Sequence, residues 1–227
     1  MYTKTYDKKT AAFAGWLIQN VPADLDDETM DNWMNNPDGT KKFLSGLKPP
    51  KTRQSSLFSI AATTPLDAVA GKKTNQCFPI GERYAYRDND FDNWLPANQP
   101  NADACVITTL VATESWTFAE AAARVLGIGA GTSILMLGDA LIQNGHTMTL
   151  AQVEEMVEKT ENGVKTEMRV DGYGNFFFVE TEDPKNPVSV GNVVRDGRDW
   201  GARVRRLARG YRWRADIRLL VRNLEDA

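Results

Sequence analysis

The sequence predicts an α+β protein, with short helices at the N-terminus, a central helical segment and a C-terminal antiparallel β-meander. Two observations predict this order. Three segments between about residues 117 and 162 each begin at a helix-capping residue and stop at a glycine. From Val164 onward, apolar residues recur at every second position, and turn sequences separate the short apolar runs.

Residues 1–47 are predicted to form a small helical module, and residues 48–56 a linker. Apolar side chains recur at helical spacing in "TAAFAGWLIQN" and in "DLDDETMDNWMNN". The following "KPPKTRQSS" combines paired prolines with basic residues and serines, which is typical of an exposed linker. The α+β domain is therefore expected to span residues 57–223.

The helices of this domain are expected between about residues 117 and 162. "TFAE" and "TLAQ" both have the form in which a Thr hydroxyl and a Glu or Gln side chain satisfy free backbone N–H groups at a helix start. Gly127, Gly145 and Gly163 mark the three helix ends.

An antiparallel sheet is expected over about residues 164–223, because the candidate strands are joined by short turns and a parallel pair needs a long crossover. The candidate strands are "KTEMRV", "NFFFVET", "PVSVGNVV", "WGARVRRL" and "YRWRADIRLLVRN". One face should pack on the helices through Trp200, Ala202, Val204, Trp213, Ala215 and Ile217.

Basic residues concentrate in the last candidate strands, although the 227-residue chain has a net charge of −3. Residues 195–222 contain ten arginines, no lysine and three aspartates, a net charge of +7 that leaves −10 for the rest. In "RGYRWRADIRLLVRN" the arginines alternate with apolar residues, so a strand would place them on one face. Arginine rather than lysine indicates planar, bidentate contacts with phosphate or carboxylate.

This pattern predicts a non-enzymatic cytoplasmic interaction module whose arginine-rich sheet face contacts an acidic partner, either a nucleic acid or an acidic protein surface. In such a strand Tyr211 and Trp213 would lie on the opposite face, which counts against base stacking beside the arginines. Two alternatives stay open: a structural subunit whose arginines pair internally, and an arginine-lined site for a small anion. The candidate partner-binding residues are Arg203, Arg205, Arg212, Arg214, Arg218 and Arg222.

A further alternative is a small enzyme that uses carboxylates and arginines on a phosphate-containing substrate. "DNDFDNW" places Asp88, Asp90 and Asp92 at alternate positions, as a calcium loop begins, but the glycine and the closing carboxylate of such a loop are missing. We therefore expect no metal and no cofactor, and an acidic cluster at a helix start. His146, the single histidine, is expected in an exposed loop.

Membrane insertion and secretion are not indicated. The longest apolar-rich run, residues 133–142, is too short to span a bilayer and contains Asp139. The start "MYTKTYDKKT" lacks the apolar region of a secretory signal. We therefore expect a cytoplasmic protein with no membrane partner, in which Cys77 and Cys105 are reduced thiols.

The stretch "DGYGNFFFVETEDPKNPVSVGNVVRDGRDW", the closing "RLLVRN" and the upstream "RDNDFDNWLP" resemble a group of uncharacterised proteins predicted from candidate-phylum bacterial genomes. The likeness covers roughly residues 77–223. It implies a bacterial cytoplasmic origin and a compact domain with a C-terminal sheet. It implies no activity, cofactor or catalytic residue.

Overall fold

The computed structural model describes residues 57–81, 83–128, 132–208 and 210–224. The predicted helical module at residues 1–47 and the linker at residues 48–56 lie outside this range. The helices are α1 (Asp90–Trp94), α2 (Phe118–Val125), α3 (Ile134–Gln143) and α4 (Leu150–Glu161). The strands are β1 (Phe58–Leu66), β2 (Tyr84–Arg87), β3 (Cys105–Ala112), β4 (Gly174–Glu180), β5 (Val188–Asp196), β6 (Asp199–Arg206) and β7 (Arg218–Arg222).

The seven strands form one mixed sheet in the order β1-β3-β7-β4-β5-β6-β2. Strands β4, β5 and β6 are the predicted antiparallel meander. The prediction of a purely antiparallel sheet is wrong, because β7 pairs parallel with β4 and β2 pairs parallel with β6. The α+β class holds at the level of a mixed sheet packed with helices.

The connection from β6 to β7 accounts for the parallel pairing of β7 with β4. Both strands run in the direction of β4, so residues 207–217 must carry the chain back across one sheet face. We call the described part of this connection, residues 207–208 and 210–217, the crossover segment. The backbone of Trp213 exchanges two hydrogen bonds with Trp116 there, at N···O distances of 2.7 and 3.0 Å. The predicted strand over residues 211–217 is therefore wrong, and β7 begins only at Arg218.

Helices cover both faces of the sheet. Helix α4 packs on one face, here the α4 face, through a core that includes Phe177, Trp200, Ala202, Val204 and Leu220. Helices α2 and α3 pack on the other, here the α2–α3 face, through a core that includes Phe176, Phe178, Val190, Ile217 and Leu219, with Trp213 packed against it.

One consequence is that the residues predicted to share a single helix-packing face are divided between the two faces. Trp200, Ala202 and Val204 belong to the α4 face, whereas Trp213 and Ile217 belong to the α2–α3 face. The division arises because the crossover segment does not continue the pleat of β6.

The helix boundaries follow the predicted caps. Thr117 and Glu120 form a complete capping box at α2, and Thr149 and Gln152 form one at α4. Predicted strand "KTEMRV" is wrong, since no strand is assigned over residues 165–170. No helix within the described ranges has the length and apolarity needed to cross a membrane.

Candidate functional site: an arginine–aromatic cleft

A cleft of about 260 Å³ opens on the α2–α3 face, where the crossover segment passes over β4, β5 and β6. Its walls combine guanidinium groups, aromatic rings and one side-chain amide. We call it the arginine–aromatic cleft. The residues that define it are Tyr173, Phe176, Asn192, Arg203, Arg205, Tyr211, Trp213 and Arg214.

Two arginines of the cleft have no ionic partner among the described residues. The guanidinium carbon of Arg203 lies 5.4 Å from the ring centre of Tyr86, and that of Arg214 lies 5.5 Å from the ring centre of Tyr173. Both side chains are exposed. A ring contact attracts the cation but uses none of its N–H groups, so both guanidiniums keep their donors for an anion.

Arg205, the third arginine, is already neutralised. Its Nη1 lies 3.0 Å from a carboxylate oxygen of Asp88 and donates to the backbone carbonyl of Val204 at 2.8 Å. Asp88 is well shielded, with 15% of its side chain exposed. Arg205 therefore shapes the cleft wall, and the free positive charge comes from Arg203 and Arg214.

The aromatic floor is formed by Trp213, which the crossover segment inserts against the sheet. Its ring centre lies 4.6 Å from that of Phe176 and 5.5 Å from that of Phe118. Tyr211 packs edge-on against Trp213 at 4.9 Å and still exposes 58% of its surface. The cleft thus holds an exposed ring in a defined orientation.

Asn192 on β5 is the one side-chain amide of the cleft. It lies opposite Arg203 in the β5–β6 register and is only 7% exposed. Its side-chain amide lines the cleft and can contact a molecule bound there.

Arg212 points away from the cleft, toward the start of α2. It donates to Glu120 at 2.9 Å and to the backbone carbonyl of Ser115 at 2.5 Å. Burial alone would raise the pKa of Glu120, but the hydrogen bonds from Arg212 and from Thr117 outweigh it and lower that pKa. Arg212 thus ties the crossover segment to α2.

Arg218 and Arg222 follow the alternation of β7 onto the α4 face, beside Leu220. Arg218 donates to the carbonyls of Glu167 at 2.9 Å and Asp216 at 2.6 Å, and burial lowers its pKa. The carbonyl of Arg222 lies 3.0 Å from Nδ1 of His146, which is buried rather than exposed as expected.

The six predicted arginines therefore do not share one sheet face. Arg203, Arg205 and Arg214 meet at the cleft, and the other three lie elsewhere. Tyr211 and Trp213 were expected on the face opposite the arginines, but the crossover segment brings both of them to the cleft. Sequence patterns gave no sign of Tyr173 or Asn192, because only the return of the chain over the sheet makes them neighbours of the arginines.

The aspartates considered as metal ligands are used separately. Asp88 pairs with Arg205, and Asp92 accepts two hydrogen bonds from Arg87, at 2.7 and 2.8 Å. Asp90 lies in the first turn of α1, and its backbone N–H donates to Asp88 at 3.2 Å. Across the described residues, no group of three metal-binding side chains is close enough to hold an ion.

Comparison with known proteins adds nothing to this geometry: no family model, no curated protein and no solved structure matches the chain.

Proposed function

We propose that this protein is a non-enzymatic interaction module of the bacterial cytoplasm that binds an acidic partner through the arginine–aromatic cleft. One observation carries the proposal: Arg203 and Arg214 face the same cleft, and neither has an ion pair among the described residues. Two neighbouring uncompensated guanidiniums favour a ligand with more than one negative charge. The cytoplasmic bacterial setting rests on the resemblance noted above.

The chemistry of the lining supports binding rather than catalysis. The described residues that line the cleft include no carboxylate, histidine, cysteine, serine or threonine. General acid–base and nucleophilic catalysis use these groups, lysine or tyrosine, and of all of them the described lining offers only Tyr173 and Tyr211. The enzyme alternative also requires Asp88, Asp90 and Asp92 to converge, and Asp88 and Asp92 are instead paired with different arginines.

The alternative of internally paired arginines fits other arginines of residues 195–222. Arg205, Arg206 and Arg212 each pair with a carboxylate, and Arg218 donates to backbone carbonyls. These four side chains hold elements of the fold together. The proposed binding role is therefore confined to Arg203 and Arg214.

A salt titration of binding tests the proposal. The probe is a fluorescent abasic single strand of about 12 nucleotides, which offers phosphates without bases. We expect binding at low salt, with a log–log salt slope of about −0.7 for each phosphate contacted. The Arg203→Gln/Arg214→Gln variant should bind more weakly and reduce that slope by about 1.4, because two contacts are lost.

The matched control is Lys185→Gln/Arg198→Gln, which also removes two positive charges, but from exposed positions outside the cleft. It should leave the salt slope nearly unchanged. No binding at low salt, or an equal loss in the control, would overturn the proposal.

A further inference from the structure

Another cavity, here called the strand-end pocket, lies at one edge of the sheet where β4 and β7 end. These strands are parallel neighbours, so their carboxyl ends lie at the same edge. Glu180 is the last residue of β4 and Arg222 is the last residue of β7, and both line the pocket. Ligands of open α/β sheets commonly bind outside the carboxyl ends of parallel strands, which makes this edge a candidate site.

Arg222 brings to the pocket a positive charge that no carboxylate of the described residues balances. Its side chain is half-buried, and its Nε is buried without a hydrogen-bond partner. The guanidinium lies beside the thiol of Cys105, whose pKa is raised by burial although Arg222 opposes that rise. The thiol is therefore protonated at neutral pH and cannot neutralise the cation. A partly buried cation without a counter-ion is unfavourable, so an anionic group bound in the pocket would stabilise it.

Glu180 brings the opposite charge and also has no ionic partner in the part of the chain that the structure describes. Its side chain is exposed, and one carboxylate oxygen accepts a hydrogen bond from the hydroxyl of Thr147 at 2.8 Å. Glu180 and Arg222 line one pocket but form no ion pair with each other. The pocket therefore presents two opposite charges that a bound molecule can bridge.

The rest of the lining limits the size and polarity of such a molecule. The amide of Gln99 is already engaged, since it donates to the hydroxyl of Thr74 and accepts from the backbone of Leu150. Five apolar residues form much of the wall: Pro96, Pro100, Ala102, Met148 and Val179. The volume is about 110 Å³, well below the range of about 300–1,000 Å³ of pockets that enclose a drug-sized ligand. The pocket therefore suits a small molecule with a short apolar group beside its charges.

Charge complementarity selects the class of ligand. A simple anion would pair with Arg222 but would be repelled by Glu180, and a simple cation would meet the reverse situation. A zwitterion carries both charges close together and makes a charge-assisted hydrogen bond with each residue. An α-amino acid with a short aliphatic side chain combines this charge pattern with the size and apolarity that the wall requires.

We propose that the strand-end pocket binds a small aliphatic α-amino acid such as alanine, whose carboxylate contacts Arg222 and whose ammonium group contacts Glu180. No described residue lines both this pocket and the arginine–aromatic cleft. The proposal therefore goes beyond the proposed function and does not depend on it.

Isothermal titration calorimetry of the full chain with three ligands tests the proposal. L-Alanine carries both charges, propionate lacks the ammonium group, and ethylammonium lacks the carboxylate. We expect saturable binding of alanine at one site. Propionate and ethylammonium should each bind about tenfold to 150-fold more weakly, because each loses one charge-assisted hydrogen bond.

Glu180→Gln is the decisive variant, because the exposed glutamine can keep the hydrogen bond with Thr147. This substitution removes both the partner of the ammonium group and the repulsion of anions, so alanine should lose its advantage over propionate. The matched control is Glu182→Gln, which removes one negative charge from an exposed position outside the pocket and should keep the native preference. Arg222→Gln should abolish the binding of both alanine and propionate.

The native protein and Glu180→Gln decide the outcome even where Arg222→Gln loses its fold. Absence of alanine binding, equal affinities for alanine and propionate in the native protein, or an unchanged preference for alanine in Glu180→Gln would each overturn the proposal. An equal loss of preference in Glu182→Gln would overturn it as well. The two sites are tested separately, because Arg203→Gln/Arg214→Gln should leave alanine binding unchanged.

Discussion

The crossover segment is held on the sheet mainly by Trp213, so replacing this residue should destabilise the protein measurably. Complete removal of a buried tryptophan ring costs about 3–5 kcal/mol, and Trp213 is half-buried. Its ring contacts Phe118, Phe176 and Tyr211 at centroid distances of 5.5, 4.6 and 4.9 Å. Three such pairs contribute about 1.5–4.5 kcal/mol together. We therefore expect Trp213→Ala to lower the free energy of unfolding by about 3 kcal/mol.

Urea denaturation followed by far-ultraviolet circular dichroism measures this change directly. A thermal melt should show a fall of about 6–12 °C, given the usual entropy of unfolding for a domain of this size. Trp213→Phe keeps a ring in place and should cost less than half as much. Arg214→Gln, at the exposed neighbouring position, should change stability by less than about 0.5 kcal/mol.

A loss below about 1 kcal/mol in Trp213→Ala would refute this reasoning. It would mean that the paired backbone of Trp213 and Trp116, and not the ring, holds the crossover segment. The aromatic floor of the cleft would then be a consequence of the backbone path rather than its cause.

Three other predictions concern the surrounding structure. The pKa of Glu120 is lowered from its usual 4.5. The Arg212–Glu120 pair should therefore stabilise the protein above pH 4.5 and lose its effect as the pH falls through the lowered pKa of Glu120 in the folded protein. A double-mutant cycle at pH 7 should give a coupling free energy of about 0.2–1 kcal/mol. Burial raises the pKa of the Cys77 thiol to about 12, so a thiol reagent at pH 8 should modify Cys77 only after unfolding. Gly191→Ala should cost about 1–3 kcal/mol in urea denaturation, because its Cβ would overlap the ring of Phe177.

The parts of the fold that the sequence predicted are those that local signals determine. The capping boxes at Thr117 and Thr149 mark two helix starts, since a side chain three residues away satisfies the free N–H groups. The meander of β4, β5 and β6 follows from short turns, of which the two-residue connection Gly197-Arg198 is the tightest. Each of these features is decided within about ten residues of the chain.

Strand β3 was missed, although the sequence carries a signal for it. "CVITTLVA" contains four consecutive β-branched residues from Val106 to Thr109 and a fifth at Val111, a composition typical of a strand. Its partners β1 and β7 are far away in the chain, so no neighbouring turn marked it as part of a hairpin. The direction of β7 depends on the same distant pairing.

Residues 211–217 show how a local sequence pattern can predict the wrong structure. Apolar and charged residues alternate from Tyr211 to Arg222 with the single exception of Leu220, but only the last five residues of this stretch form a strand. The ring of Trp213 packs against Phe118 and Phe176 although residues 211–217 form no strand. Asp216, at φ 70°, breaks the extended backbone just before β7.

The cleft follows from that break. Had residues 211–222 formed one continuous strand, the arginines would lie along a flat face and Tyr211 and Trp213 on its reverse. The chain instead returns over the sheet to enter β7 beside β4. Arg214 and Tyr211 therefore lie in the same cleft as Asn192 of β5 and Arg203 of β6. Charge, ring and amide therefore meet only where the strand pattern fails. Any variant that straightens the crossover segment should therefore separate Arg214 from Arg203 and weaken binding of an acidic partner.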